Sequence, residues 1–218
     1  MVSFPYKKYR GDYEYMDVSG WKERFKHRND ITTRITHLTN GDTPEKAFEN
    51  LLSILEDRTI KGGHGYVCGS DAVVCLQEAP LGSIAENLLY ERALRKATES
   101  TKHRYRAFGL RFTKIHIYKL GGRPVIYGPT SEFRNILPQD EWWRIVDLQL
   151  NHTKSIVDWT HEREWRIKGD LTFTYNQIEV ILPCWSYYQK FVKYCLDNSK
   201  EEMLKEIRGI ISLDSVYV

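Results

Sequence analysis

The sequence predicts a single α+β domain, and three observations carry that reading. Short β-branched or apolar runs, such as ITTRITHLT (31–39) and AVVCL (72–76), read as strands. Between them lie segments whose apolar residues recur at helical spacing. The 218 residues contain no internal repeat, no low-complexity stretch and no clear linker, so one domain accounts for the length.

The elements follow in order. Thr43-Pro44-Glu45 opens a helix, with Thr43 as N-cap and Pro44 in the first turn. Phe48, Leu51, Leu52 and Leu55 give it one packing face. Lys61-Gly62-Gly63-His64-Gly65 is a flexible turn before the 72–76 strand. A helix is expected from about Ser83 to Thr98, and residues 105–118 alternate like strands. Gly121-Gly122 turns the chain into Arg123–Tyr127, a strand placed near a sheet edge by Pro124. A loop with Pro129 and Pro138 follows, and 142–150 fits a helix or a strand. Strands are expected over 162–167 and 177–182, and helices over 187–197 and 200–207. Residues 1–30, rich in Tyr, Lys and Arg, suit an arm or a lid.

Composition narrows the class. Hydrophobic residues make up 41% and charged residues 28%, which excludes a disordered, collagenous or coiled-coil chain. No run of 18 apolar residues is present, so no transmembrane helix and no membrane partner are expected. The N-terminal MVSFPYKKYRGDYEY lacks the apolar core of a signal peptide. The four cysteines form no CxxC pair and are expected as reduced thiols in a cytoplasmic protein, without a metal site.

The net charge of +3 is too small to mark the whole chain as a nucleic-acid binder. Its distribution is uneven: residues 91–114 carry eight basic and two acidic residues, so the remainder is net acidic. Lys102, Arg104 and Arg106, beside Tyr105 and Phe108, form a candidate nucleic-acid-binding face. The same cluster also suits a plain solvated helix face.

The sequence lacks GxxxxGK[ST], GxGxxG after a strand, GxSxG and HExxH, which removes the common NTPase, dinucleotide-fold, hydrolase and zincin readings. The sharpest local feature is HEREWR (161–166). On a strand Glu162 and Glu164 would share one face, with Arg163 and Trp165 on the other. Such carboxylates can polarise a sugar hydroxyl and stabilise an oxocarbenium-like transition state, or they can belong to a salt-bridged strand. His37 and Thr39 would likewise share a face and offer two hydrogen bonds to a ribose or an amide. The amides of Gly62-Gly63-His64-Gly65 could approach a phosphate. Tyr127 could stack on a planar ring and Arg123 could meet a phosphate.

Taken in order, these pieces resemble a known group. His37-Leu38-Thr39 followed by Leu51-Leu52-Ser53-Ile54-Leu55 is similar to the opening of DarT-like ADP-ribosyltransferases. Residues 73–84, Tyr105–Leu110 and Arg123–Tyr127 resemble the AbiG-type abortive-infection proteins of bacterial phage defence, and EREWR fits both. The resemblance spans about 33–182. It implies an ADP-ribosyltransferase-like split β-sheet core with flanking helices and NAD in the cleft. It implies Glu164 as the catalytic glutamate, Glu162 orienting the acceptor, and His37, Thr39, Tyr127 and Arg123 as NAD contacts. The implied acceptor is RNA or single-stranded DNA, in a toxin or effector, with an antitoxin as a further partner. The loop 65–71 has no arginine where the DarT-like enzymes carry one; Arg58 is the nearest. That departure leaves open a non-catalytic antitoxin or immunity-type module with a degenerate transferase fold.

Overall fold

A computed structural model of the chain describes residues 6–8, 14–16, 18–98, 105–151 and 155–216. The first half runs β1 (Tyr6–Lys8), β2 (Glu14–Met16), α1 (Val18–Lys26), β3 (Arg34–Leu38), α2 (Pro44–Asp57), β4 (Thr59–Ile60), β5 (Val73–Gln77), α3 (Leu81–Thr98) and β6 (Gly109–Thr113). It continues through α4 (Lys114–Lys119), β7 (Arg123–Pro124), β8 (Ile126–Gly128), α5 (Thr130–Ile136), β9 (Ile145–Asp147) and β10 (Glu164–Lys168). Then come β11 (Leu171–Thr172), β12 (Ile178–Leu182), α6 (Trp185–Asp197), α7 (Glu201–Glu206) and β13 (Gly209–Ser212).

Seven strands form one mixed sheet in the order β13-β12-β6-β3-β5-β10-β7. Only β12 and β13 run parallel, because α6 and α7 carry the chain back between them. All other neighbours in this sheet are antiparallel. β7 takes the outer edge, where a proline costs no ladder hydrogen bond.

Strand alternation sorts the residues into two faces. Ile35, Val74, Leu76, Leu110, Phe112, Trp165, Ile167, Ile178 and Val180 join one core. Ala47, Leu51 and Leu55 of α2 and Phe191 and Cys195 of α6 complete it. Full burial of each large apolar side chain here stabilises the fold by roughly 1.5–3 kcal/mol. α2 starts as its sequence demands: Thr43 caps it by accepting the Lys46 N–H at 3.1 Å, with Pro44 in the first turn. On the opposite face Ile84 of α3 packs with Leu38 and Ala79.

The sheet parts in its middle. β3 pairs with β6 along its whole length, from Arg34↔Thr113 to Leu38↔Gly109. Toward β5 it pairs only at Thr36↔Gln77. Beyond that point the backbones separate, and the His37 ring spans the gap to the Cys75 carbonyl at 2.9 Å. Gly109 permits the tight β3–β6 side of this arrangement. A Cβ there would lie 2.2 Å from the His37 carbonyl oxygen.

Several elements differ from the sequence reading. Residues 105–118 are not strand throughout: after β6, Thr113 caps the His116 N–H and starts α4. Residues 142–150 hold the end of a 3-10 turn (Gln139–Arg144) and then β9. The proline-bounded segment 129–138 contains α5 rather than loop alone. α1 and β13 had no clear periodic signal. Among the described residues no helix is long and apolar enough to cross a membrane.

Candidate functional site

The sheet face opposite the main core carries a polar row in direct register. Glu164 pairs with Gln77, Gln77 with Thr36, Thr36 with Arg111, and Arg111 with Glu179. Cross-strand partners project to the same side, so one polar side chain from each of five strands lines up. At the far end Glu179 holds Arg34 at 2.7 Å and Arg111 at 3.1 Å. In the middle, Thr36 is fully buried and its hydroxyl has no hydrogen-bond partner among the described residues; Arg111 Nε is likewise unsatisfied. Unsatisfied buried polar atoms are costly, so a row containing two of them stands out from an ordinary sheet face.

Glu164 anchors the other end. Its Oε1 accepts from Arg166 Nε at 2.7 Å. Arg166 is only 3% exposed, and its Nη1 donates to the carbonyls of Trp143 at 2.7 Å and Ile145 at 3.2 Å. Its Nη2 reaches the Tyr66 carbonyl at 3.4 Å. One guanidinium therefore ties the 61–72 loop and the 139–145 segment to the Glu164 carboxylate. The backbone N–H of Glu164 donates to the Tyr127 hydroxyl at 2.8 Å. Burial, reinforced by the Glu164 and Glu162 charges, pushes the Tyr127 phenol up to about 12. Cys75 lies opposite Arg166 in the ladder and keeps an exposed surface in the split. Packing around its thiol, with Glu164 adding, pushes it up to about 12.

His37 and Glu164 share Cys75 as a neighbour but from opposite sides of the sheet, because His37 is the cross-strand partner of the core residue Leu110 whereas Glu164 belongs to the polar row. The ring of His37 bonds the Cys75 carbonyl, and the carboxylate of Glu164 neighbours the Cys75 thiol. A carbonyl only accepts, so Nδ1 of His37 carries the proton and Nε2 keeps its lone pair. Burial holds His37 below the ordinary imidazole range and preserves that neutral form.

Thr39 is placed differently. It is buried just past the strand end, and its hydroxyl donates to the Ala47 and Phe108 carbonyls at 3.3 and 3.2 Å. Its work is to join α2 to the segment that leads into β6. Glu162 does not share a strand face with Glu164. It ends a 3-10 turn (Thr160–Glu162), and Arg163 then adopts a left-handed conformation at φ 43° before β10 begins. That turn lets the Arg163 carbonyl accept the Glu78 N–H at 3.0 Å, while its guanidinium reaches the Asp30 carbonyl. Glu162 is 6% exposed and still close enough to Tyr127 to raise its phenol.

Arg123 faces α4. Its Nη1 donates to the Tyr118 and Gly122 carbonyls at 3.0 and 2.8 Å, and the guanidinium stacks on the Tyr118 ring at 4.1 Å. The glycine turn is also committed: the Gly62 N–H meets Asp170 at 2.9 Å, and Gly63 exchanges backbone bonds with Val73. Lys102 and Arg104 lie outside the described residues. Arg106 holds the loop before α2 through the Gly41 carbonyl at 2.9 Å and the Asp42 carbonyl. Arg111 is paired in the polar row and Lys114 is paired with Glu78. The described cations of 105–114 are therefore engaged within the fold and do not form a solvated face.

Gln77, Thr36, Cys75 and Arg166 were not singled out in the sequence. The period-two alternation of VVCLQ (73–77) contains a signal for Gln77 and Cys75, because it interleaves them with core residues. Arg166 lies within HEREWR, where a salt-bridged strand is one of the two expectations, but nothing local marks Thr36. Among the described residues no group of three His, Cys, Asp or Glu is placed to hold a metal.

No family model matches this sequence, and no curated protein or solved structure matches it.

Proposed function

We infer that the chain is an NAD-dependent ADP-ribosyltransferase that modifies a nucleic-acid acceptor. The observation that supports this reading is the Glu164 carboxylate, oriented by Arg166 at the end of the polar row and next to the Tyr127 hydroxyl that accepts the backbone N–H of the same residue. The groups there suit the nicotinamide riboside end of NAD⁺. The neutral Tyr127 ring offers a stacking surface. Glu164 accepts from a ribose hydroxyl and stabilises the positive charge that develops at the anomeric carbon as nicotinamide departs. The acceptor then bonds to that carbon and gives up its proton, for which Glu162 is the nearby carboxylate base. For the diphosphate, the loop 65–71 borrows a cation: Arg134 of α5 donates to Cys68 Sγ at 3.1 Å.

The close Arg166–Glu164 pair favours a second reading, a non-catalytic binding module, because the carboxylate already has a protein partner. One experiment separates the two. Nicotinamide release from NAD⁺ is measured with added RNA, single-stranded DNA or duplex DNA, for wild type and Glu164→Gln. A transferase releases nicotinamide with one polymer, and Glu164→Gln loses at least about 10²-fold in rate. A binding module releases none and shows no NAD-dependent rise in Tm. Unchanged turnover in Glu164→Gln would sink the assignment.

A further inference from the structure

A second feature lies on the same face of the sheet, two residues along β3 from Thr36. Arg34 lines a cavity of ≈ 580 Å³ between α1 and the ends of β3 and β6. That volume is within the range of about 300–1,000 Å³ typical of small-ligand sites. Two aromatic rings from α1 form one wall. Trp21 and Phe25 are four residues apart, so they project from the same side of the helix, with ring centroids 4.9 Å apart. Lys22 and Lys26 form a neighbouring stripe, and Arg208 enters from the segment before β13.

The lining residues include four cations and no carboxylate. Two of these cations are partly neutralised: Lys26 by Glu23 at 2.6 Å, and Arg34 by Glu179 at 2.7 Å. Lys22 and Arg208 are exposed and form no ion pair among the described residues. Aromatic rings beside unpaired cations are the chemistry of single-stranded nucleic-acid binding: the ring stacks a base, and the cations follow the phosphates. A duplex keeps its bases stacked inside and cannot offer one to a concave wall.

We propose that this cavity seats a base and its flanking phosphates from a single-stranded polynucleotide. The site is built from α1, Arg34 and Arg208, and is distinct from the Lys102–Arg106 cluster. It deepens the acceptor half of the function inferred above and rests on that reading. The register of the polar row puts Arg34 and Glu164 on one sheet face, with the buried Thr36 and Gln77 between them.

The test is fluorescence anisotropy of short labelled single-stranded RNA, single-stranded DNA and duplex DNA, without NAD⁺. A failed NAD⁺ assay therefore leaves this result readable. Three proteins are compared: wild type, Trp21→Ala, and the exposed charge reversal Lys22→Glu/Arg208→Glu. Circular dichroism and Tm accompany each. Wild type should bind single strands well above duplex. Trp21→Ala should weaken binding by about tenfold with its salt dependence retained. The charge reversal should weaken it at least about tenfold and reduce the salt slope by about two. Because both reversed residues are exposed, this variant remains informative if Trp21→Ala fails to fold. Unchanged affinity in the charge reversal, equal duplex binding, or equal displacement by poly-glutamate would each overturn the proposal. The last result would assign the cavity to an acidic protein segment.

Discussion

Arg166 Nε lies 2.7 Å from Glu164 Oε1, two residues earlier on the same strand. The pair is nearly sealed: the side chains are 4% and 15% exposed. A buried pair of this kind need not add net stability, but breaking it strands a charge.

Removal of Arg166 is therefore expected to be severe. Arg166→Ala leaves Glu164 unpaired and the Trp143 and Ile145 carbonyls without their donor. The expected cost is about 3–5 kcal/mol, read as a lower urea midpoint. Arg166→Lys recovers only part of it, because an ammonium cannot reproduce the fork that meets three carbonyls and a carboxylate together. Full recovery in the lysine variant would show that charge alone holds the site.

Thr36→Val should act in the opposite direction. The hydroxyl is fully buried and has no partner among the described residues, so its replacement by a methyl relieves a desolvation cost. The expected gain is about 1 kcal/mol in chemical unfolding. A loss of that size instead would show that the hydroxyl has a bonding partner in solution. If the polar row contacts substrate, the same variant raises KM for NAD⁺ while stability rises.

Alkaline pH should weaken the fold through buried thiols and phenols, Cys75, Cys195 and Tyr127 among them. Unfolded thiols ionise near 9.0, whereas in the folded chain Cys75 rises to about 12 and Cys195 to about 11. The Tyr127 phenol rises from 10.0 to about 12. Between those values the folded state holds protons that the unfolded state has lost. Stability is thus full below pH 9.0 and falls as pH climbs toward 11–12. The urea midpoint should drop through that window, less steeply in Cys195→Ala. A midpoint independent of pH above 9.0 would show that these groups are solvated.

The parts legible in the sequence are those whose causes are local. Thr43 and Pro44 mark the start of α2 because capping and a fixed φ act within one turn. The apolar period of Leu51 and Leu55 marks its buried face, and Pro124 marks an edge strand. Glu164 is recognisable as a strand residue for the same reason. Its relation to Glu162 is not. An ExE spacing implies a shared face only if the backbone stays extended, and here Arg163 turns left-handed to reach Glu78 and Asp30, residues far away in the chain.

His37 and Thr39 make the same point. The spacing alone treats them as equals, yet β3 ends at Leu38, and Thr39 spends its hydroxyl on Ala47 and Phe108. His37 stays at the split only because β3 and β5 part after Thr36↔Gln77. Local chemistry settles which segments are helix or strand and which faces are apolar, since those preferences act over a few residues. The polar row, the Arg166 anchor and the α1 cavity belong to the folded chain. Each joins side chains from separate strands or helices, and only strand register and long-range packing bring them within hydrogen-bonding distance.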